Sequence, residues 1–110
     1  GPAIGRMFGM HPDDRAQDIE LAYELGREFW GRGYMTEAVR AVLRFFFEEV
    51  GFYRVHAYHA SENPASGRVM RKCGMRPEGI CHMACVCNAG RFDQVNFGIL
   101  RDEFMQGREQ

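Results

Sequence analysis

The chain is 110 residues long, 45% hydrophobic and 26% charged, which suits one soluble globular domain with a real core and leaves too little for a second. Its formal net charge of -1 excludes a sequence-independent nucleic-acid binder, which needs clustered positive charge, although local basic residues can still meet a small anion. No apolar run approaches the length of a membrane span and no signal-peptide pattern is present, so the expected location is the cytoplasm.

Gly1 and Pro2 are given no functional weight. Residues 3–11, AIGRMFGMH, alternate loosely and read as a strand, followed by the polar turn PDDRAQD. In IELAYEL, Ile19, Leu21, Tyr23 and Leu25 fall on one face and Glu20, Ala22 and Glu24 on the other, a period of two that predicts a second strand. A glycine-bearing loop, GREFWGRG, comes next. Thr36 is placed to N-cap a helix whose apolar stripe is Val39, Val42, Leu43, Phe46, Phe47 and Val50, with Glu37 suiting the helix dipole and Gly51 ending it. Residues 53–60, YRVHAYHA, predict a third strand, SENPAS a break, and PASGRVMRKCG a short helix closed by Gly74. Two final strands fit residues 79–87 and 95–100, joined by the turn NAGRFD. The order implies an α/β fold: a mixed sheet with a central strand-helix-strand crossover, its two strands parallel, and an antiparallel hairpin at the end, with much of the middle strands buried.

A loop that leaves a strand and feeds a helix is a ready anion site, because backbone N–H groups at a helix N-terminus lack internal partners and the dipole there is positive. Gly31 and Gly33 let the backbone approach a ligand without a Cβ in the way, and Arg27 and Arg32 add charge. Neither a Walker A pattern nor a dinucleotide fingerprint is present, and G-x-G alone is also the sequence of a simple tight turn. Phe29 and Trp30 read as packing for the loop. His56 and His59 fall on opposite faces of their strand and read as hydrogen-bonded sheet histidines, and the methionines as core filler. Cys81, Cys85 and Cys87 cluster in CHMACVC with His82 beside them, but C-x3-C-x-C is not a zinc-knuckle spacing. On a strand they share one face, so they are expected to be reduced, buried and metal-free.

Three segments together, FWGRGYMTEA, then Asn63 to Ser66 after the next strand, then KCGMRPEG, resemble the core of the GNAT N-acetyltransferases in order and spacing. The chain is most similar to the branch that acetylates ribosomal-protein N-termini, which also holds enzymes with small-molecule substrates. The resemblance implies that Glu28, Phe29, Trp30, Gly31, Arg32, Gly33 and Tyr34 form the cradle for the pyrophosphate of acetyl-CoA. Glu28 stands where the family motif has Gln or Arg, a change this branch commonly carries. It further implies that the strands at 19–25 and 53–60 splay to admit the pantetheine arm, and that Asn63 hydrogen-bonds that arm or lies near the thioester. Direct acetyl transfer to an amine would use Glu20 as base and Ser66 as acid. Many members use a tyrosine as the acid, and Met70 stands at that position here. The plainer readings are a solvated strand carboxylate for Glu20 and a first-turn helix hydroxyl for Ser66.

The resemblance begins at the family's third strand, so the first strand, two helices and second strand that build much of the acceptor pocket have no counterpart in this sequence. The expectation is a single partial GNAT domain over residues 1–110 that keeps the CoA-binding part and covers its exposed surface as a homodimer. Two functions follow from the resemblance: an acetyl-CoA-dependent N-acetyltransferase acting on a protein N-terminus or small-molecule amine, or a non-catalytic CoA-binding or interaction module.

Overall fold

A computed structural model of the chain describes residues 5–13, 18–25, 34–87 and 89–108. Their elements run β1 (Gly5–Asp13), β2 (Asp18–Leu25), α1 (Tyr34–Arg44) continuing into a π-helical turn (Phe45–Val50), β3 (Arg54–Ala60), α2 (Pro64–Lys72), β4 (Arg76–Cys87), β5 (Gly90–Leu100) and α3 (Arg101–Arg108). Among the described residues the five strands form one sheet in the order β1-β2-β3-β5-β4. The β2–β3 pair is parallel and every other pair antiparallel, so the expected mixed sheet and strand-helix-strand crossover are both present.

One sheet face carries the core. Ile19 pairs with Val55, Val55 with Ile99 and Ala57 with Phe97, and all five side chains are buried. Against them α1 sets Met35, Val39 and Leu43, each four residues from the last, and α2 sets Val69 and Met70. This spacing corrects the expected helix start. The helix already includes Tyr34 and Met35, because Met35 belongs to the buried stripe, so Thr36 is a buried first-turn residue rather than the N-cap. At the other end the helix widens into a π turn over three phenylalanines, of which Phe46 and Phe47 are buried and Phe45 is exposed. Gly51 then ends it as expected, at φ 89° with its N–H on Phe46 O.

The middle strands are buried on that face only. On the other, Asp18, Glu20, Arg54, His56, Gln94 and Asn96 are half-buried and Tyr58 is exposed, and no helix among the described residues packs over them. Arg54 draws this face together, its Nη1 2.6 Å from Glu78 Oε2 and its Nε 3.4 Å from Asp18 Oδ2. The β4–β5 hairpin is longer and its turn tighter than the sequence suggested, with Gly90 (φ 128°) opening β5. β4 is the sheet edge and is exposed almost throughout, so the expected burial of its cysteines does not hold: Cys81 and Cys87 are exposed and Cys85 half-buried. The terminal helix α3 is absent from the sequence reading.

Candidate functional site

The β2–β3 ladder has three register pairs, Asp18 with Arg54, Ile19 with Val55 and Glu20 with His56. Beyond them both strands continue but no longer meet. From Leu21 to Leu25, β2 pairs with β1, and from Ala57 to Ala60, β3 pairs with β5. Two parallel neighbours therefore part at their carboxyl ends, the position at which open α/β sheets receive ligands. The splay implied by the resemblance is present. Each strand keeps an outer antiparallel partner, so the separation leaves both backbones hydrogen-bonded on one side.

Asn63 lies beyond the end of β3, at the head of α2. Its backbone N–H donates to Ala60 O at 2.9 Å, and Pro64 follows as the first helical residue. Its side chain makes no capping bond, and its Oδ1 is buried without a hydrogen-bond partner. An orphaned buried acceptor costs roughly 1–3 kcal/mol, which a ligand N–H would recover. The pantetheine arm carries amide N–H groups of that kind, so the residue fits the part the resemblance gives it.

Glu20 closes the parallel ladder on the helix-free face, half-buried opposite His56. One step further along β3 on the same helix-free face, the Tyr58 phenol is pushed above the ordinary value, first by burial and then by the charges of Glu20 and Cys85, so it is protonated at neutral pH. Ser66 is buried in the first turn of α2, and Met70 one turn on is fully buried, an apolar core residue with no proton to give. Tyr34 opens α1 and is exposed. Glu28, Phe29, Trp30, Gly31, Arg32 and Gly33 lie outside the described residues. Glu20 thus lies at the end of the β2–β3 ladder, and Asn63 and Ser66 lie at the head of α2, which follows β3. Tyr58 was missed by the sequence reading, where only its alternation with Ala57 and His59 marked it as facing away from the core.

The two histidines differ. His59 Nδ1 donates to Ala60 O at 2.7 Å, its ring stacks on Phe97 at 5.8 Å, and it packs against Gly67, as a structural histidine should. His56 makes no hydrogen bond among the described residues. Its Nε2 is 3.9 Å from Asp18 Oδ1, an oxygen that is buried without a hydrogen-bond partner, and a third of the His56 side chain is open to solvent. All four cysteines are free thiols. Burial pushes Cys73 up to about 11, and Cys85 is raised by burial, then by Cys87 and Glu62, so neither is an activated thiolate. Among the described residues no three His, Cys, Asp or Glu side chains are placed to hold a metal ion.

Residues 1–76 match the family model of the acetyltransferase (GNAT) domain. The uncharacterized N-acetyltransferase YnaD of Bacillus subtilis (strain 168) is 35% identical over 99 residues, covering 90% of this chain and 55% of that protein. The chain spans about half the length of the curated relatives it matches. A GNAT-family acetyltransferase structure from Bacillus anthracis superposes with a TM-score of 0.76 at 28% identity, covering 90% of this chain and 59% of that one. The spermidine N-acetyltransferase SpeG from Vibrio cholerae superposes at 0.83 over 97% of this chain and 63% of its own; at 20% identity that likeness shows the fold alone.

Proposed function

The chain belongs to the GNAT acetyltransferase family, and on that premise we propose that it binds acetyl-CoA where β2 and β3 part and moves the acetyl group to a primary amine. The observation that carries the proposal is the ladder's end at Glu20 and His56 with an unpaired, buried Asn63 Oδ1 beyond it. In this reading residues 1–110 are the CoA-binding part of one GNAT domain. Backbone amides of the loop at 28–33 and the first turn of α1, with Tyr34 at its head, hold the pyrophosphate by the orphan donors of a helix N-terminus. The thioester supplies an activated acyl group. Asn63 Oδ1 accepts an amide N–H of the pantetheine and fixes the arm in the gap.

Transfer then needs two proton movements. Glu20, on the open sheet face where an amine can approach, takes a proton from the incoming ammonium, directly or through water. Ser66, in the first turn of α2, returns one to the departing thiolate. The acceptor is a protein N-terminus or a small amine. A second reading, CoA binding without turnover, is favoured by one observation: Met70, fully buried, stands where many relatives carry the tyrosine acid. We also propose a homodimer joined through the exposed β4–β5 hairpin, in a compartment reducing enough to keep exposed Cys81 and Cys87 as thiols, the cytoplasm.

Calorimetric titration of acetyl-CoA into the protein tests the core of the proposal, alongside a Gly31→Asp, Gly33→Asp double variant shown to be folded by circular dichroism. Saturable binding by the wild type, lost in the variant, is the expected result. Absence of binding by folded wild-type protein would overturn it. Thiol release with a free-amine peptide and with spermidine as trial acceptors then separates turnover from binding alone.

A further inference from the structure

At the end of α1 remote from Tyr34, a cleft of about 330 Å³ opens between three helices. Tyr34 and Arg44 lie roughly 15 Å apart along the helix axis, so this cleft is separate from the opening between β2 and β3. Its floor is apolar, from Ile99 and Phe104, and its rim carries Arg40 and Arg44 from α1 and Lys72 from α2. The one carboxylate lining it is already committed. Glu103 accepts the Leu100 N–H at 2.9 Å through Oε1 and pairs with Arg76 at 2.8 Å through Oε2. Among the described residues, Arg40, Arg44 and Lys72 have no carboxylate within ion-pair distance.

Cations in the last turns of helices ordinarily complement the dipole. That account covers Lys72 but not Arg44, because the helix runs on through the 6-residue π turn to its cap at Gly51. Arg40 gives one N–H to Lys72 O at 2.9 Å, which serves the carboxyl end of α2 and leaves its remaining donors for other partners. Three cationic groups thus surround an apolar-floored space in which, among the described residues, the only carboxylate is the already paired Glu103. Guanidinium forks of this kind pair with carboxylate or phosphate.

We propose that this cleft binds a small organic polyanion, its charged groups on Arg40, Arg44 and Lys72 and its body against Ile99 and Phe104. Such a ligand ties α3 to α1 and α2 and is independent of acetyl-CoA binding at the opposite end of α1. Gly107 lines the cleft and a Cβ placed there meets nothing within 4 Å, so a bulky side chain can be introduced at the cleft wall without displacing the fold.

The test is a two-dimensional NMR titration of the chain with citrate and, separately, phenyl phosphate at constant ionic strength, repeated on Arg44→Gln/Lys72→Gln and on Gly107→Phe. Saturable shifts at the amides of Lys72, Gly74 and Gly107 are expected with at least one probe, and which probe acts tells a carboxylate ligand from a phosphate ester. Affinity should fall about tenfold or more in the double variant, the loss expected when charge-assisted hydrogen bonds are removed. Gly107→Phe should abolish it. No saturable shift at these amides with either probe, or binding undiminished in both variants, would overturn the proposal.

Discussion

Asn63 holds a buried oxygen that the fold leaves unpaired, and a residue kept at such a cost is informative. Asn63→Ala removes the orphan and, because the side chain makes no capping bond, removes no cap. Stability should be unchanged or rise by about 1 kcal/mol in urea denaturation, while acetyl-CoA affinity drops about tenfold by calorimetry, opposite signs from one substitution. A loss of both would make Asn63 structural. Gly67 tests the neighbouring helix. Alanine in a helix interior normally gains about 1 kcal/mol over glycine. Here its Cβ would lie 2.8 Å from His59 Nε2, on a ring held by Ala60 O and Phe97. Overpacking a constrained contact costs about 1–3 kcal/mol, so Gly67→Ala should lower the urea midpoint rather than raise it.

At the scale of the element, the β4–β5 hairpin is shaped by a bulge between Cys81 and Cys85. Met83 takes a positive φ of 54° there, and Asp93 on β5 holds the turn by accepting the Met83 N–H at 2.9 Å with His82 Nδ1 at 3.0 Å. The Met83 N–H is the first cause of an Asp93 carboxyl held below its ordinary value of 3.8; burial opposes it, and His82 adds to the lowering. The depressed value means that the contribution is complete above pH 3.8 and is lost as pH falls through the lower folded value. Acidification through that range should therefore loosen the bulge, read by NMR as a shift of the Met83 amide. Asp93→Asn should move or remove that transition, and an unchanged profile would separate the bulge from the carboxylate. α3 was invisible in the sequence because eight residues with one buried side chain, Phe104, carry no period; its anchors, Glu103 to the Leu100 N–H and Phe104 against Phe47 at 5.2 Å, are tertiary.

Across the described residues, burial is one-sided. The helices cover one sheet face, while the edge strand β4 exposes Ile80, Met83 and Val86. An apolar edge of this kind is a surface for pairing with a second copy. Light scattering at micromolar concentration should give a dimer, and Ile80→Glu with Val86→Glu should return it to monomer. A wild-type chain that is monomeric under those conditions would remove the homodimer from the proposal.

Local rules reached most of the architecture from the sequence. Alternation in IELAYEL and YRVHAYHA, the four-residue spacing of Val39 and Leu43, and the glycines at 51 and 74 fixed strand and helix types, since period and backbone permission are properties of neighbouring residues. The family resemblance rested on motifs of the same local kind. Burial was decided elsewhere. Cys81, Cys85 and Cys87 share a face by alternation, yet they sit on an exposed edge strand over which no helix packs among the described residues; Thr36 reads as a cap until Met35 is seen to join the core. The orphaned Asn63 oxygen, Tyr58 within reach of the Glu20 charge, and the cations gathered around the α1–α2–α3 cleft depend on segments distant in the chain. No local pattern encodes them, because where β2 and β3 part, and which side chains meet there, is set by how the sheet and helices pack together.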